Sequence, residues 1–389
     1  MSTLKVDGIR SNGDTSGNNA ITLADNNTCT ANITNRSNRN KIVNGAMRLS
    51  QRGTTFSPTG TDQIYTLDRF QHVATSGVSW DATVTQDSSA PDGFLKSYKV
   101  TPDSTNTPSG GGNAVIRYKV EGQDIQDLAY GTSSAKSLTI SFYAKTASAN
   151  SGDQYTLCLF YFRSDGTGKT VTVAFTPTST WQRFSFTFAG DTDGSYGIRN
   201  SEDMGMSIQW VLAAGSDDIK AAMSTWTVDG TYFRGVTGQD NFNDNTNNEF
   251  YLTGVQLEVG STMTDFEHKL FTEDQAQCHR YYYEIAPPVA ESLIGDMLNY
   301  DTNDHMTLRF PVEMRVEPDF VCSDFSNAFR IYGSSGGRNV STLTVNTGVG
   351  SPKAIMIECS GGTNGQRSFV RIFNANSGVY ATIAANAEL

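Results

Sequence analysis

Oxygen donors are packed most densely in the loop Gly238-Gln239-Asp240-Asn241-Phe242-Asn243-Asp244-Asn245-Thr246-Asn247-Asn248-Glu249. Calcium takes roughly six to eight oxygens from carboxylates, amides and backbone carbonyls, so Asp240, Asn243 and Asp244 are the candidate ligands of a structural Ca2+. The acids do not follow the order of an EF-hand and its glycine is missing, so a plain polar loop is the competing reading. Sugar recognition would draw on a different set, since the C–H surfaces of a sugar stack on aromatic faces while its hydroxyls pair with Asp, Asn and Arg. Trp226 and Tyr232 flank the Asp229-Gly230 turn, where exposure is expected; Trp80 is a third candidate, with Tyr332 and Tyr380 further along. Trp181 and Trp210 alternate with strand neighbours and read as buried. With 21 Phe and 16 Tyr, most rings must serve the core.

Catalytic signatures are absent from the sequence. The four histidines, His72, His268, His279 and His305, have no partner at metal-binding spacing, and no Gly-x-Ser-x-Gly, HExxH, P-loop or dinucleotide pattern occurs. Glu202-Asp203, Asp217-Asp218 and Asp301 with Asp304 are acid pairs, and a glycosidase needs two carboxylates ~5–10 Å apart. In loops of Ser, Gly and Asn such pairs read as solvated turns, so no catalytic residue is assigned and a non-enzyme is expected. A net charge of -11, with 29 Lys and Arg against 40 Asp and Glu, disfavours nucleic acid and anionic membranes as partners. No run approaches the ~20 apolar residues of a membrane span. Cys29, Cys158, Cys278, Cys322 and Cys359 are dispersed and odd in number, as expected of free thiols in a reducing cytoplasm. Lys5, Asp7 and Arg10 stand where a secretion signal would need an apolar core, so release by lysis is the expected route out of the cell.

The elements that must hold these residues are strands. Glycine is high at 36, Ser, Thr and Asn are abundant, and the residues that usually enrich helices are not. Residues 1–40 are polar and too poor in apolar residues to form a core. From Lys41 to about residue 270 short β runs follow one another, including 114–120, 137–145, 155–162, 170–175 and 180–188, with a hairpin signal at Asp165-Gly166. The stretch Phe250–Val259 alternates, with Tyr251, Thr253, Val255, Leu257 and Val259 on one side. Thr272 and Gln275 have capping-box spacing, predicting a short helix from about Glu273. Residues 285–389 hold a further series of short strands, including 304–311, 319–322, 329–332, 343–345, 354–359, 369–373 and 380–384. The expected fold is all-β: an extended N-terminal segment (1–40), a jelly-roll β-sandwich (41–270), a helical linker (271–284) and a smaller distal β-sandwich (285–389).

Three sets of residues carry a resemblance. Leu252-Thr253-Gly254-Val255-Gln256-Leu257-Glu258 through Glu267-His268, followed by Cys278-His279-Arg280-Tyr281-Tyr282-Tyr283, is one. Asn44-Gly45 with Gln51-Arg52-Gly53 and Leu67-Asp68-Arg69-Phe70 is the second, and Ser2-Thr3-Leu4-Lys5-Val6-Asp7 the third. Together they resemble tail-fibre and virion-appendage proteins of tailed bacteriophages, notably those infecting marine cyanobacteria. The resemblance implies a carbohydrate-binding-module-like jelly roll joined to a distal β domain, with Asn44-Gly45 close to Val255-Gln256. It implies a virion protein made in the host cytoplasm and attached to other tail proteins through its N-terminal segment. It implies a homotrimer that contacts a host surface glycan or receptor, and many such jelly rolls hold a structural calcium. A structural tail or capsid decoration protein is the first alternative. A polysaccharide depolymerase is the second, although the long regular repeat of a β-helix is not seen.

Overall fold

The computed structural model describes residues 8–9, 21–23, 29–31, 37–194, 196–228, 234–286, 292–299, 303–322, 329–333, 336–339, 343–345, 350–360, 367–372 and 383–389. Within the leader, β1 (Gly8–Ile9), β2 (Ile21–Leu23) and β3 (Cys29–Ala31) form one antiparallel sheet. The attachment role expected of residues 1–40 falls largely on residues outside the described set.

The large body contains β4 (Thr55–Phe56), β5 (Gln63–Tyr65), β6 (Phe70–Ala74), β7 (Ala82–Asp87), β8 (Ser97–Pro102), β9 (Asn113–Glu121), β10 (Leu138–Thr146), β11 (Tyr155–Phe162), β12 (Gly168–Phe175), β13 (Gln182–Phe188), β14 (Met204–Ala214), β15 (Ile219–Lys220), β16 (Thr227–Val228), β17 (Gly235–Val236) and β18 (Phe250–Val259). Strands in the order β13-β10-β18-β8-β7-β4 make a six-stranded sheet, and β16-β12-β11-β14-β9-β6-β5 make a seven-stranded one. The chain passes repeatedly from one sheet to the other, from β8 to β9 to β10 to β11, in the manner of a jelly roll. Period-two alternation explains the packing: Leu138, Ile140, Phe142 and Ala144 of β10 point inward and are wholly buried. There Phe142 meets Trp210 of the opposite sheet edge-on, with ring centroids 5.6 Å apart. The hairpin of β11 and β12 turns through Gly166, whose φ of 85° suits glycine, while Asp165 accepts from the Thr167 amide at 3.0 Å.

The expected side assignment of β18 fails at its middle. Phe250 and Leu252 are buried in the same core as Val255 and Leu257, because the β10–β18 register slips between Ser141 and Tyr143. Gly254 sits at this bulge with φ of 60°. The bulge inverts the phase, so Tyr251 and Thr253 face outward together with Gln256 and Glu258.

Helix α1 (Phe271–His279) starts earlier than Glu273 and has no side-chain cap; Thr272 lies inside its first turn, so the capping-box reading does not hold. Beyond it come β19 (Tyr282–Ala286), β20 (Ser292–Asn299), β21 (Asn303–Arg309), β22 (Asp319–Cys322), β23 (Phe329–Gly333), β24 (Gly336–Asn339), β25 (Leu343–Val345), β26 (Ala354–Ser360), β27 (Arg367–Ile372) and β28 (Ile383–Asn386). They form a seven-stranded sheet, β24-β23-β27-β20-β21-β26-β25, and a three-stranded sheet, β19-β28-β22. The strand expected at 380–384 lies partly outside the described residues, which show β28 ending that series.

The residues behind the phage-appendage resemblance meet where α1 and β19 leave the sandwich. Gly45 accepts from the Val255 amide at 2.9 Å, and a Cβ on Gly45 would stand 2.2 Å from the Val255 carbonyl oxygen, so only glycine admits this approach. Asn44 donates to the carbonyls of Leu49 and Asp68 at 2.8 and 3.0 Å, and its own amide donates to Asp274 at 2.9 Å. Arg69 is 1% exposed; its guanidinium pairs with Glu388 and lies 3.4 Å from the Tyr281 ring centroid. Arg52 lies 3.6 Å from the Tyr282 ring centroid and 3.2 Å from Glu388. Glu121, at the end of β9, accepts from both the Nε and the Nη2 of Arg280 at 2.8 Å and from the Tyr281 hydroxyl at 2.6 Å. Arg315 donates to the carbonyls of Ala387 and Glu388 at 2.7 and 2.9 Å. The junction is therefore a charged, hydrogen-bonded seam between the two bodies.

Candidate functional site

The outer face of the six-stranded sheet carries one row of side chains that alternates between cation and ring. Lys99 of β8 stands opposite Tyr251 of β18, and Tyr251 stands opposite Lys145 of β10. Gln182 pairs with Ala144, which places Trp181, one residue before β13, beside Lys145. At ~4.8 Å per strand the row spans about 14 Å. Lys145 Nζ lies 4.4 Å from the Tyr251 ring centroid and 5.4 Å from that of Trp181, and Lys99 Nζ lies 5.3 Å from Tyr251. The two rings are 6.1 Å apart at 72°. Such cation–ring contacts hold both partners in place.

Hydrogen bonds fix the row further. Lys99 pairs with Glu249 at 2.7 Å, and the Tyr251 hydroxyl donates to the other Glu249 oxygen at 2.7 Å. Burial alone would raise the Glu249 carboxyl, but its bonds from Lys99 and Tyr251 outweigh that and hold it below the usual carboxylate range. Burial, with Glu249 alongside, raises the Tyr251 hydroxyl. Lys145 donates to the Ser89 hydroxyl at 2.8 Å. The neighbouring part of this face is covered: Phe94 packs on Tyr143, Phe266 and His268 at 5.4, 4.9 and 5.1 Å between centroids. A saccharide can meet the row at its accessible side chains, its ring face on the half-buried Trp181 and its hydroxyls against Lys99, Lys145 and Glu249, while Tyr251, only 7% exposed, braces the two lysines.

The bulge that turns Tyr251 to the outer face of the sheet depends on Gly254, where an added Cβ would stand 2.8 Å from both the Phe94 and the Tyr143 rings. Gly254→Val is expected to destabilise the fold by about 1–3 kcal/mol, from the left-handed backbone and the crowding together. A urea titration checks this, and a loss below ~0.5 kcal/mol would show that the bulge tolerates a side chain.

The structure redistributes the residues selected from the sequence. Trp80 is 1% exposed, stacked on His72 at 3.9 Å and edge-on to Phe242 at 6.4 Å, so it belongs to the core and cannot face a ligand. Trp226 is half-buried; its indole N–H donates to the Ala189 carbonyl at 2.9 Å and its ring packs on Tyr161 and Tyr130 at 5.0 and 5.4 Å. It closes the edge of the core rather than offering a free face. Tyr232, Tyr332 and Tyr380 have side chains outside the described set. Trp210 is buried as expected, whereas Trp181 is half-buried and turned outward. Its odd-numbered partners Arg183, Ser185 and Thr187 share the outer face, and the inward set is Phe184, Phe186 and Phe188; that phase is the signal that finds Trp181.

In the proposed calcium loop, Asp240 is exposed and accepts from the Gln154 amide at 2.8 Å. Asp244 is exposed and accepts from Asn248 at 2.9 Å. Asn243 is wholly buried, and its side-chain oxygen and nitrogen have no hydrogen-bond partner. The loop thus holds two surface carboxylates already accepting hydrogen bonds and one amide enclosed within the fold. Burial raises nearby Asp153, with the charges of Asp240 and Asp244 adding to it. Among the described residues no group of three His, Cys, Asp or Glu side chains gathers as a metal site.

No protein-family model matches the chain, and no curated protein matches it in sequence. Among solved structures, the chain is similar to the enzymatically active domain of tailspike protein 4 of bacteriophage CBA120, at 10% identity and a TM-score of 0.28, over 57% of this chain and 21% of that one. It is similar to the family 11 carbohydrate-binding module of a Clostridium thermocellum cellulosomal cellulase, at 13% identity and a TM-score of 0.27, over 55% of this chain and 98% of that one. It is also similar to a family 22 xylan-binding domain from Paenibacillus barcinonensis, at 8% identity and a TM-score of 0.27, over 53% of this chain and 100% of that one. Each is a likeness at low identity over little more than half of the chain.

Proposed function

We propose that this protein is a non-enzymatic adhesin of a phage tail fibre or related virion appendage, which holds a surface glycan of the host along the Lys99–Tyr251–Lys145–Trp181 row. The observation that carries this reading is the row itself: two rings and two ammonium groups aligned across four strands on one sheet face. The resemblance of the Asn-Gly, Gln-Arg-Gly, Asp-Arg-Phe and Arg-Tyr-Tyr-Tyr stretches to virion appendages supports the setting. In that setting the N-terminal segment joins the protein to the tail and the copies form a trimer, so that weak contacts sum to firm attachment.

The test is binding of the purified protein to intact bacterial cells and to their extracted surface polysaccharide, with reducing ends followed in parallel. Saturable binding without release of reducing ends is expected. Release of oligosaccharides would overturn the non-enzyme reading in favour of a depolymerase. Absence of both binding and release would favour a structural tail or capsid decoration protein.

A further inference from the structure

We infer that the saccharide held by the row is an acidic one, its anionic group seated on Lys145; this rests on the adhesin reading above and names the ligand class of the same site. The two cations of the row differ in how they are compensated. Lys99 already has a carboxylate partner, Glu249, at 2.7 Å. Lys145 lies 4.4 and 5.4 Å from the two ring centroids and donates to a neutral hydroxyl, that of Ser89, at 2.8 Å. Among the described residues it forms no ion pair, and it reaches the Glu249 carboxylate only through space, without contact. An ammonium only donates hydrogen bonds, and covering it with a neutral ligand strips water from a charge without returning an opposite one. A carboxylate or sulfate on the sugar restores the charge balance at the moment of covering, and the half-buried Trp181 ring beside Lys145 offers a face to the sugar.

With a net charge of -11, the chain as a whole repels a polyanion, so an acidic polymer can settle only where cations are concentrated. The row supplies two ammonium groups against one carboxylate. Two sources provide the anion, a uronate carboxyl or a sulfate ester, and paired probes separate them.

The full chain would be titrated with polygalacturonate and with its carboxyl-reduced form, and with dextran sulfate and plain dextran, at about 0.15 M salt. In at least one pair the charged polymer is expected to bind about tenfold tighter than its neutral counterpart, the share of one partly buried ion contact. Lys145→Met, which keeps an apolar stem and removes the charge, is expected to erase that difference. Preference by the polygalacturonate pair alone assigns a uronate, and by the dextran sulfate pair alone a sulfate ester. Equal binding of both members of each pair would overturn the acidic assignment and leave glycan adhesion standing, as would a preference that survives Lys145→Met. Failure of all four polymers to bind would overturn the acidic assignment, and the cell-binding measurement then decides adhesion separately.

Discussion

Arg69→Ala is expected to lower the unfolding free energy by about 3–5 kcal/mol, the cost of breaking a buried ion pair by removing one partner. Arg69 and Glu388 have side chains only 1% and 4% exposed, so deletion leaves the Glu388 carboxylate enclosed, with the Arg52 contact at 3.2 Å as its remaining ion pair among the described residues. The same change removes a guanidinium 3.4 Å from the Tyr281 ring centroid and a hydrogen bond of 2.7 Å to the Lys119 carbonyl. Chemical denaturation of wild type, Arg69→Ala, Glu388→Ala and the double variant closes a mutant cycle. The double variant is expected to recover part of the loss, because no unpaired charge remains. A loss below ~1 kcal/mol for Arg69→Ala would show that the seam is a surface contact rather than the clamp between the two bodies.

A second large effect is expected in acid. His72 is wholly buried on the inner face of β6, and burial pulls its imidazole down from 6.5 to about 3. The folded chain keeps this ring neutral while the unfolded chain protonates it below pH 6.5. Its contribution is therefore fully present above that pH and is lost as pH falls towards 3. The slope is about 1.4 kcal/mol per pH unit, which sums to roughly 5 kcal/mol over the window. His72→Phe keeps a ring against Trp80 and removes the titration. The gap in urea midpoint between the variant and wild type is expected to widen steadily from pH 7 to pH 4; a constant gap would contradict a buried neutral imidazole.

The architecture was legible because alternation survives in strands whose inner face meets a core. Leu138, Ile140, Phe142 and Ala144 show it, and so do Phe184, Phe186 and Phe188. The candidate site was less legible, for reasons that lie in single residues. A period-two reading carried through Gly254 puts Tyr251 on the wrong face, because it assumes an uninterrupted ladder; a lone glycine in a strand pattern is the local mark of a bulge. Trp80 looked available because it stands in a polar stretch between strands. Its amide, however, donates to the Gly60 carbonyl at 2.8 Å, and its ring fills the core beside His72. Local polarity cannot reveal such a long-range anchor. The Asp-Arg-Phe and Arg-Tyr-Tyr-Tyr stretches were visible only as a resemblance, since nothing in their spacing says that Arg69 and Tyr281 stack across 212 positions of chain.

The most direct test of the glycan-binding account is the affinity of Trp181→Ala for whichever surface polysaccharide wild type binds. Wild type and variant are compared by isothermal titration, with the urea midpoint of each measured alongside. Trp181 is half-buried at the end of the row and outside the central core. The variant is therefore expected to keep the wild-type unfolding free energy within ~0.5 kcal/mol and to bind about tenfold more weakly, a loss of about 1.4 kcal/mol. Unchanged affinity in a variant that folds like wild type would contradict the account and move the glycan site off this sheet face.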